Sequence, residues 1–451
     1  MGRGFDIIIP HLSLFFNKNV FFEKNIYKLV SVMIYYYIFV SYGGFFMSAS
    51  TLKVALLGFG VVGSGTAEVI TENQDRIRLA TGGGMDIRYI LDLRDFPDSP
   101  FADRIVHDYN IILNDPEVDA VVEMMGGSHP AYEITKSALM AGKHVVTSNK
   151  EVVANFGTEL LALAAEHGVR YLFEASVGGG IPVLRPLSQD MAANRVREIN
   201  GILNGTTNYI LTRMANEGVS YEATVSEAQR LGYAERDPSA DVDGLDAARK
   251  IVILAAMSTG LRIDPNTISV KGIRNVTTED VQMAAAFGCA IKLIGHMALV
   301  DGKLSVWVAP CMVPTSHPLR HIDDVFNGVL IDTDMLGKTL FYGRGAGKLP
   351  TAGAVVSDLT DIATHPFDAA TAPRWTDATA EHIAPTGAEA LSVCLIYDGN
   401  DGIPAEGALQ MVKQDGRTAI LLPSMSAAEL EATIARGQSR PVAQYTVLSL
   451  G

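Results

Sequence analysis

The fold is decided by LKVALLGFGVVG, residues 52–63. Its first six residues are a short apolar run, typical of a parallel strand that is buried on both faces. The glycine turn GFGVVG follows at once, and a helical pattern runs from Ser64 to about Leu79. In this order Gly58 makes a tight turn, Gly60 lets the backbone approach a pyrophosphate, and Gly63 lets the helix pack on the strand. The stretch predicts a dinucleotide site, although a glycine turn without a ligand remains an alternative.

The segments that follow alternate between strand and helix patterns. Alternation of this kind is typical of βαβ units and of a mostly parallel sheet. We therefore predict an α/β chain with a Rossmann-type doubly wound nucleotide-binding domain over residues 47–180. The predicted strands are Ile87–Leu91, Ala120–Glu123, His144–Thr147 and Tyr171–Glu174, and the predicted helices between them include Pro130–Ala141 and Val153–His167.

The end of the second strand bears on the choice of coenzyme. Asp92 follows that strand, and an acidic residue there binds the ribose hydroxyls of NAD. Arg94 lies two residues further on, where a guanidinium would accommodate the 2′-phosphate of NADP. The sequence leaves both coenzymes open.

Two later strands end in segments suited to a ligand. Lys150 follows the fourth strand, at the sheet edge where open α/β folds bind ligands, and it would reach a nicotinamide or a substrate carboxylate unless it is a solvated loop residue. The loop from Glu174 to Pro182 contains three glycines. Its carbonyls would hold a hard monovalent cation if they turn inward, and a plain flexible crossover is equally allowed.

The stretch ERDPSADVDGLDAARKI, residues 235–251, carries the clearest catalytic pattern. Asp246 and Lys250 are four residues apart and therefore share one face of a helix, where they can pair. Such a pair would keep the ammonium protonated as a donor to a developing alkoxide, whereas the alternative is an ordinary surface salt bridge. The helix continues into the apolar run 251–256, which predicts burial and places the charged turn at a cleft.

Composition narrows the class of protein. The 451 residues carry 36 basic and 50 acidic side chains, a net charge of −14, and no basic run. This balance argues against a nucleic-acid partner and favours small metabolites. The three cysteines, Cys289, Cys311 and Cys394, are widely spaced, so we expect buried reduced thiols in a cytoplasmic protein and no disulfide framework or zinc site.

The first 46 residues differ from the rest in composition. They contain no alanine, and Leu29–Phe46 is an uncharged apolar run just long enough to be considered as a membrane span. Met47 stands directly before the nucleotide fold, so we favour an over-called start codon, with an anchor or a loose tail as the alternatives. For residues 47–451 we expect no membrane association.

Five sequence blocks now allow a comparison with a known family. GFGVVGSG, TSNKEVVA, EASVGGGIPVLRPL, NGILNGTTNYIL and AERDPSADVDGLDAARK occur in this order between about Lys53 and Asp358. Together they resemble homoserine dehydrogenase. The resemblance implies an NAD(P)-dependent enzyme that interconverts L-aspartate 4-semialdehyde and L-homoserine in threonine and methionine biosynthesis.

The resemblance also implies roles for individual residues. Lys250 is similar to the proton-donating lysine, Asp246 to its acidic partner in the substrate site, and Lys150 to the lysine between nicotinamide and substrate. Glu235 matches the glutamate that binds the substrate amino group. The implied cofactor-binding residues are Gly58, Phe59, Gly60, Val61, Val62, Gly63, Arg94, Lys150 and Gly347, and the carbonyls implied to bind a sodium ion belong to Glu174, Val177, Gly179 and Ile181.

The resemblance extends to domain organisation. Residues 181–339 would form an α+β substrate-binding and dimerisation domain, and the segment 340–364 would return to complete the nucleotide-binding domain. Residues 365–388 are turn-rich and predict a linker. Residues 389–451 predict four strands and one helix, which suggests a shortened ACT-like module and a homodimer or higher homo-oligomer. The alternative to an enzyme is a catalytically silent dinucleotide sensor that uses this tail.

Overall fold

The computed structural model describes residues 50–449. The predictions made for residues 1–46, including the apolar run, lie outside the described residues. Within the described range, no helix combines the length and the apolar character that crossing a membrane requires.

The nucleotide-binding domain is built on a six-stranded parallel sheet in the order β3-β2-β1-β4-β5-β6. The ligand crevice of such a sheet lies where the strand order reverses, here between the ends of β1 and β4. The confirmed alternation of elements is β1 Leu52–Leu57, α1 Val61–Glu72, α2 Gln74–Thr81, β2 Met85–Leu91, β3 Ile105–Val106, α3 Tyr109–Leu113, β4 Ala120–Glu123, α4 Ala131–Met140, β5 His144–Thr147, α5 Lys150–Glu166 and β6 Tyr171–Leu172.

The second domain packs helices on one face of a larger, mostly antiparallel sheet. Its central strands β10 and β11 pair along their whole length because both are long and contain few turn residues. The elements are α6 Leu184–Ser188, β7 Val196–Ile202, α7 Gly205–Glu217, α8 Tyr221–Arg230, α9 Ser239–Val242, α10 Leu245–Thr259, β8 Leu261–Arg262, β9 Ser269–Val270, α11 Thr278–Ala286, β10 Cys289–Val300, β11 Lys303–Pro314, β12 Phe326–Thr333 and β13 Lys338–Arg344.

A single helix completes the nucleotide-binding domain. This helix, α12 (Lys348–Thr364), follows the second domain and returns to the first, where it packs against α1 and β5. Its Val355 and Leu359 are fully buried in a core with Leu56, Val122 and Val146 from the parallel sheet. Apolar burial therefore holds the two distant parts of the domain together.

The tail continues the sheet of the second domain. Its elements are β15 Leu391–Asp398, β16 Gln410–Gln414, β17 Arg417–Met425, α13 Ala427–Arg436 and β18 Ala443–Val447. Strand β18 pairs with β11 in parallel, so the order is β13-β12-β7-β10-β11-β18-β15-β17-β16. The four predicted strands and the single predicted helix are present, and the strands join the sheet of the second domain. The similarity of this tail to an ACT domain stays a prediction.

Other predicted boundaries need correction. The helix predicted over Ser64–Leu79 begins at Val61 and is interrupted at Asn73, which caps the next helix. The strand predicted over Tyr171–Glu174 stops at Leu172. The linker is not structureless, because its strand β14, Thr376–Asp377, pairs with β8.

Candidate active site

The glycine turn has the geometry that a dinucleotide needs. Gly58 has a φ of +92°, which favours glycine. A Cβ on Gly63 would lie 2.0 Å from the Gly58 carbonyl oxygen, so only glycine allows helix α1 to approach the turn this closely. A Cβ on Gly60 would meet nothing within 4 Å, which leaves open space at the helix N-terminus for a phosphate.

Asp92 holds this turn in place. Its Oδ2 accepts a hydrogen bond from the Phe59 N–H at 2.8 Å, and its carboxylate also pairs with Arg94 at 2.9 Å. The Arg94 guanidinium holds the pKa of Asp92 well below its usual range, although partial burial opposes it. The Arg94 side chain remains mostly exposed and lies 5.0 Å from the ring centroid of Phe96. The guanidinium of Arg94 is therefore held at the edge of the sheet, and the carboxylate of Asp92 is already bound by Phe59 and Arg94.

Lys150 is the first residue of α5, whereas a solvated loop residue was the alternative that the sequence left open. The helix begins here because Asn149 is its N-cap, and the Asn149 Oδ1 accepts hydrogen bonds from the N–H groups of Glu151 and Val152. The Lys150 Nζ lies 2.9 Å from the Oδ1 of Asp246, which belongs to the other domain. This ion pair raises the pKa of Lys150, against the effect of burial.

Asp246 and Lys250 form the pair that their spacing predicted, and both are buried. The Lys250 Nζ donates to the Asp246 Oδ2 at 2.7 Å and to the Leu203 carbonyl oxygen at 2.7 Å. Burial lowers the pKa of Lys250, and the Asp246 carboxylate partly compensates. Burial alone would raise the pKa of Asp246, but the two lysines outweigh it and hold that pKa below its usual range. An exposed surface salt bridge is therefore the wrong description of this pair.

Two residues that sequence reasoning missed complete the cluster. The Asn204 Nδ2 donates to Asp241 at 2.7 Å and to Asp246 at 2.9 Å, while its Oδ1 accepts from the N–H of Thr207 as the N-cap of α7. Burial raises the pKa of Asp241. Asn204 separates two carboxylates that would otherwise repel each other, and the only signal for it was its place in the NGILNGTTNYIL block.

A second ion pair crosses the same domain boundary. Arg249, beside Lys250 on α10, lies 2.9 Å from the Oε1 of Glu151, beside Lys150 on α5. The starts of these two helices are therefore joined by two parallel charge pairs. This arrangement holds the start of α5 against the start of α10.

Two other predicted residues, Glu235 and Gly347, do not contact the lysine cluster. Glu235 lies in the loop after α8 and is exposed, and its carboxylate has no partner among the described residues, so the structure does not bring it to the lysines. Gly347 has a φ of +128° and precedes α12 at the return to the nucleotide-binding domain.

The glycine-rich loop offers backbone oxygens. Gly178 and Gly179 both have positive φ values, a conformation that their lack of a side chain allows. The carboxylate of Glu174 accepts hydrogen bonds from the N–H groups of Val183, Leu184 and Arg185, so Glu174 can offer only its carbonyl to an ion. The described residues contain no group of three or more His, Cys, Asp or Glu side chains suited to a metal. The three cysteines are free and buried, as expected.

Comparisons with known proteins agree with this site. The family model for the NAD-binding domain of homoserine dehydrogenase matches residues 58–174, and the model for homoserine dehydrogenase matches residues 182–360. A homoserine dehydrogenase from a Synechocystis strain is 45% identical over 322 residues, which cover 69% of this chain and 73% of that protein.

Solved structures extend the similarity to the tail. The homoserine dehydrogenase of Thiobacillus denitrificans superposes with a TM-score of 0.81 at 33% identity and covers 89% of this chain and 99% of its own. A hyperthermophilic archaeal homoserine dehydrogenase in complex with NADPH has a TM-score of 0.61 at 27% identity and covers 70% of this chain and 100% of its own. With its nicotinamide-binding domain and its lysine cluster, this chain belongs to the homoserine dehydrogenase family of NAD(P)-dependent oxidoreductases.

Proposed function

We propose that this protein interconverts L-aspartate 4-semialdehyde and L-homoserine, in threonine and methionine biosynthesis. One observation carries the proposal: Lys150 and Lys250, from different domains, share the carboxylate of Asp246 at 2.9 and 2.7 Å. Reducing an aldehyde requires positive charge or a proton at the carbonyl oxygen, and this cluster concentrates both beside the dinucleotide crevice. The silent-sensor alternative is not favoured, because a sensor has no need of a buried, aligned proton donor.

A bound nicotinamide coenzyme supplies or accepts the hydride at carbon. The chain's own residues manage the proton. In the reducing direction Lys250 donates a proton to the carbonyl oxygen as the alkoxide develops, becomes a neutral amine, and regains a proton from solvent. Asp246 keeps Lys250 oriented, and Lys150 adds a second positive charge near the oxygen. In the oxidising direction neutral Lys250 takes the hydroxyl proton.

Two carboxylates are available for the substrate ammonium. Glu235 is exposed and unengaged, and it lies on the loop that leads into α9. Asp241 lies in α9 itself and is already held near Asp246 by Asn204. A loop that closes over the amino group would bring Glu235 towards it and form charge-assisted hydrogen bonds.

For the coenzyme we propose a preference for NADPH. The Arg94 guanidinium is exposed, stacks near Phe96, and is available for a 2′-phosphate, whereas Asp92 is engaged by Phe59 and Arg94. We expect Arg94→Gln to lower kcat/KM for NADPH at least about tenfold, because the variant loses a charge-assisted contact with the 2′-phosphate. The kcat/KM for NADH should change by less than about twofold. Equal losses with both coenzymes would refute the preference.

A structural sodium ion remains part of the proposal. The donors are the carbonyl oxygens of Glu174, Val177, Gly179 and Ile181, and neutral oxygen ligands suit a hard monovalent cation. The positive φ values of the loop support such a backbone site. We also propose a cytoplasmic homodimer, with dimerisation through the second domain.

The deciding experiment follows NADPH and NADH oxidation by absorbance with aspartate semialdehyde, comparing residues 47–451 with Lys250→Met. Methionine keeps an unbranched side chain that is one atom shorter and removes the ammonium group that donates the proton. We expect turnover to fall by at least about a hundredfold while NADPH binding persists, because a general acid typically contributes about a hundredfold to ten-thousandfold to the rate. A folded wild-type protein that binds NADPH without turnover would refute the proposed activity.

A further inference from the structure

Glu123 is a buried carboxyl group that neither the lysine cluster nor the glycine turn uses. It is the last residue of β4, beside the crevice between β1 and β4, and its exposed fraction is zero. Burying a carboxylate is costly unless donors surround it. No lysine or arginine in the described part of the chain forms an ion pair with Glu123, so its partners must be uncharged.

The partners of Glu123 come from two different loops. The Oε1 accepts a hydrogen bond from the Met125 N–H at 2.8 Å, at the start of the turn that follows β4. The Oε2 accepts from the Thr147 hydroxyl at 2.7 Å, at the end of β5. The Asn149 side-chain amide reaches the Oε1 at 3.5 Å. Each of these groups donates a hydrogen bond to the carboxyl group of Glu123. Burial raises the pKa of Glu123, and these donors oppose that effect.

A continuous chain of hydrogen bonds leads from Glu123 to Asn149, the N-cap of the helix that begins at Lys150. While the Thr147 hydroxyl donates to Glu123, its oxygen accepts the Asn149 N–H at 2.9 Å. The Asn149 side chain then donates to the Gly127 carbonyl oxygen at 2.7 Å and caps the helix whose first residue is Lys150. One carboxylate therefore ties together the turn at residues 124–127 and the start of α5.

We propose that Glu123 is a positioning residue for the reduction, acting through Thr147 and Asn149 to hold Lys150 at its place over the crevice. This proposal rests on the proposed function. Neither Glu123 nor Thr147 touches the reacting atoms; each fixes the backbone from which Lys150 extends towards Asp246. A displacement of about 1 Å in a catalytic group costs on the order of a hundredfold in rate, so loosening this network has a measurable effect.

The test uses a matched pair of substitutions in the full chain. Thr147→Val keeps the shape of the side chain but removes the hydroxyl, and Thr147→Ser keeps the hydroxyl. Glu123→Gln is the second route, because an amide cannot accept from all of the donors. The control is Thr418→Val, since Thr418 is equally buried and donates to Asn400, in the tail.

We expect Thr147→Val and Glu123→Gln to lower kcat at least about tenfold, with KM for the semialdehyde changed by less than about threefold, as for a misplaced catalytic group. Thr147→Ser should restore kcat to within about threefold of wild type, and Thr418→Val should leave kcat unchanged. The proposal is overturned if Thr147→Val keeps kcat within twofold of wild type, if serine gives no recovery, or if the control loses as much.

A second measurement separates this proposal from the proposed function. Hydrogen exchange followed by mass spectrometry on peptides covering residues 148–153 reports whether the helix start is loosened, whatever the substrate. Faster exchange in Thr147→Val, with Thr418→Val unchanged there, supports the positioning network even if wild type fails to reduce the semialdehyde. Unchanged exchange in Thr147→Val contradicts it.

Discussion

Replacing Asp246 by Asn tests the lysine cluster most directly. The substitution keeps the size of the side chain and removes the single negative charge that Lys150 and Lys250 share. Two changes follow for Lys250. It loses the carboxylate that opposes the effect of burial on its pKa, and it still faces the positive charge of Lys150, which lowers that pKa further.

The size of the effect follows from the geometry. An opposite charge within about 4 to 6 Å moves a pKa by about 1 to 3 units, and Asp246 lies 2.7 Å from the Lys250 Nζ. Lys250 donates its proton only below its own pKa, so reduction is lost as pH rises through that value. In Asp246→Asn we therefore expect the alkaline limb of reduction to move at least about 1 pH unit lower. Oxidation, which needs the neutral amine, should begin at correspondingly lower pH.

The assay is the pH dependence of kcat in both directions, followed by NADPH absorbance between about pH 6 and 10. Asp243→Asn serves as the control, because Asp243 lies three positions away and pairs with Arg274 on the surface, away from the lysines. If Asp246→Asn loses activity but keeps the wild-type alkaline limb, the charge does not act through Lys250 and the reasoning is wrong. The reasoning would also be refuted if the alkaline limb of Asp243→Asn moved as far as that of Asp246→Asn.

Three further perturbations test other parts of the structure. Gly63→Ala places a Cβ 2.0 Å from the Gly58 carbonyl oxygen, so we expect NADPH binding, measured by fluorescence titration, to weaken at least about tenfold. The control is Gly353→Ala, because Gly353 lies in α12 with open space around it. This variant should bind NADPH normally and have a higher Tm than wild type. Glu174→Gln removes the carboxylate that accepts three backbone N–H groups and should lower the free energy of unfolding in urea by about 1–3 kcal/mol; an unchanged midpoint would contradict this. Deleting residues 389–451 removes β18 and exposes the edge of β11. We therefore expect aggregation, measured by size-exclusion chromatography. A stable, active product would show that the tail is dispensable.

Local patterns in the sequence predicted much of the nucleotide-binding domain and the core of the site. The glycine turn, the alternating strands, and the four-residue spacing of Asp246 and Lys250 are all set by neighbours in the chain. The spacing of apolar residues and the positions of turn-forming residues are therefore enough to predict them.

Contacts between distant segments could not be predicted in this way. The pairing of Lys150 with Asp246 depends on how the two domains meet. The bridge made by Asn204 depends on how α7, α9 and α10 pack within the second domain. No local pattern encodes either contact. Glu123 gave no signal because a carboxylate at the end of a buried strand resembles an ordinary strand end. Glu235 shows the converse: its family match is clear, yet its position in the structure is exposed.

The tail illustrates a limit of pattern reasoning about domains. Its strands and single helix were predicted from the sequence, but their attachment to β11 was not. Strand pairing is formed by main-chain hydrogen bonds, so any strand with a compatible face can extend a sheet. Side chains add to the joint: Glu389 accepts hydrogen bonds from Ser305 and Trp307 and contacts the buried His296 at 2.8 Å.

The late return of α12 has a consequence for the newly made chain. Until the ribosome has synthesised the entire second domain, the face of the parallel sheet that carries Leu56, Val122 and Val146 has no α12 to cover it. Domains commonly fold as units while translation proceeds, and exposed apolar surface at this stage favours aggregation. Nascent chains of this protein should therefore depend on chaperones up to about residue 364, and ribosome-bound fragments that end before α12 should crosslink to them most strongly.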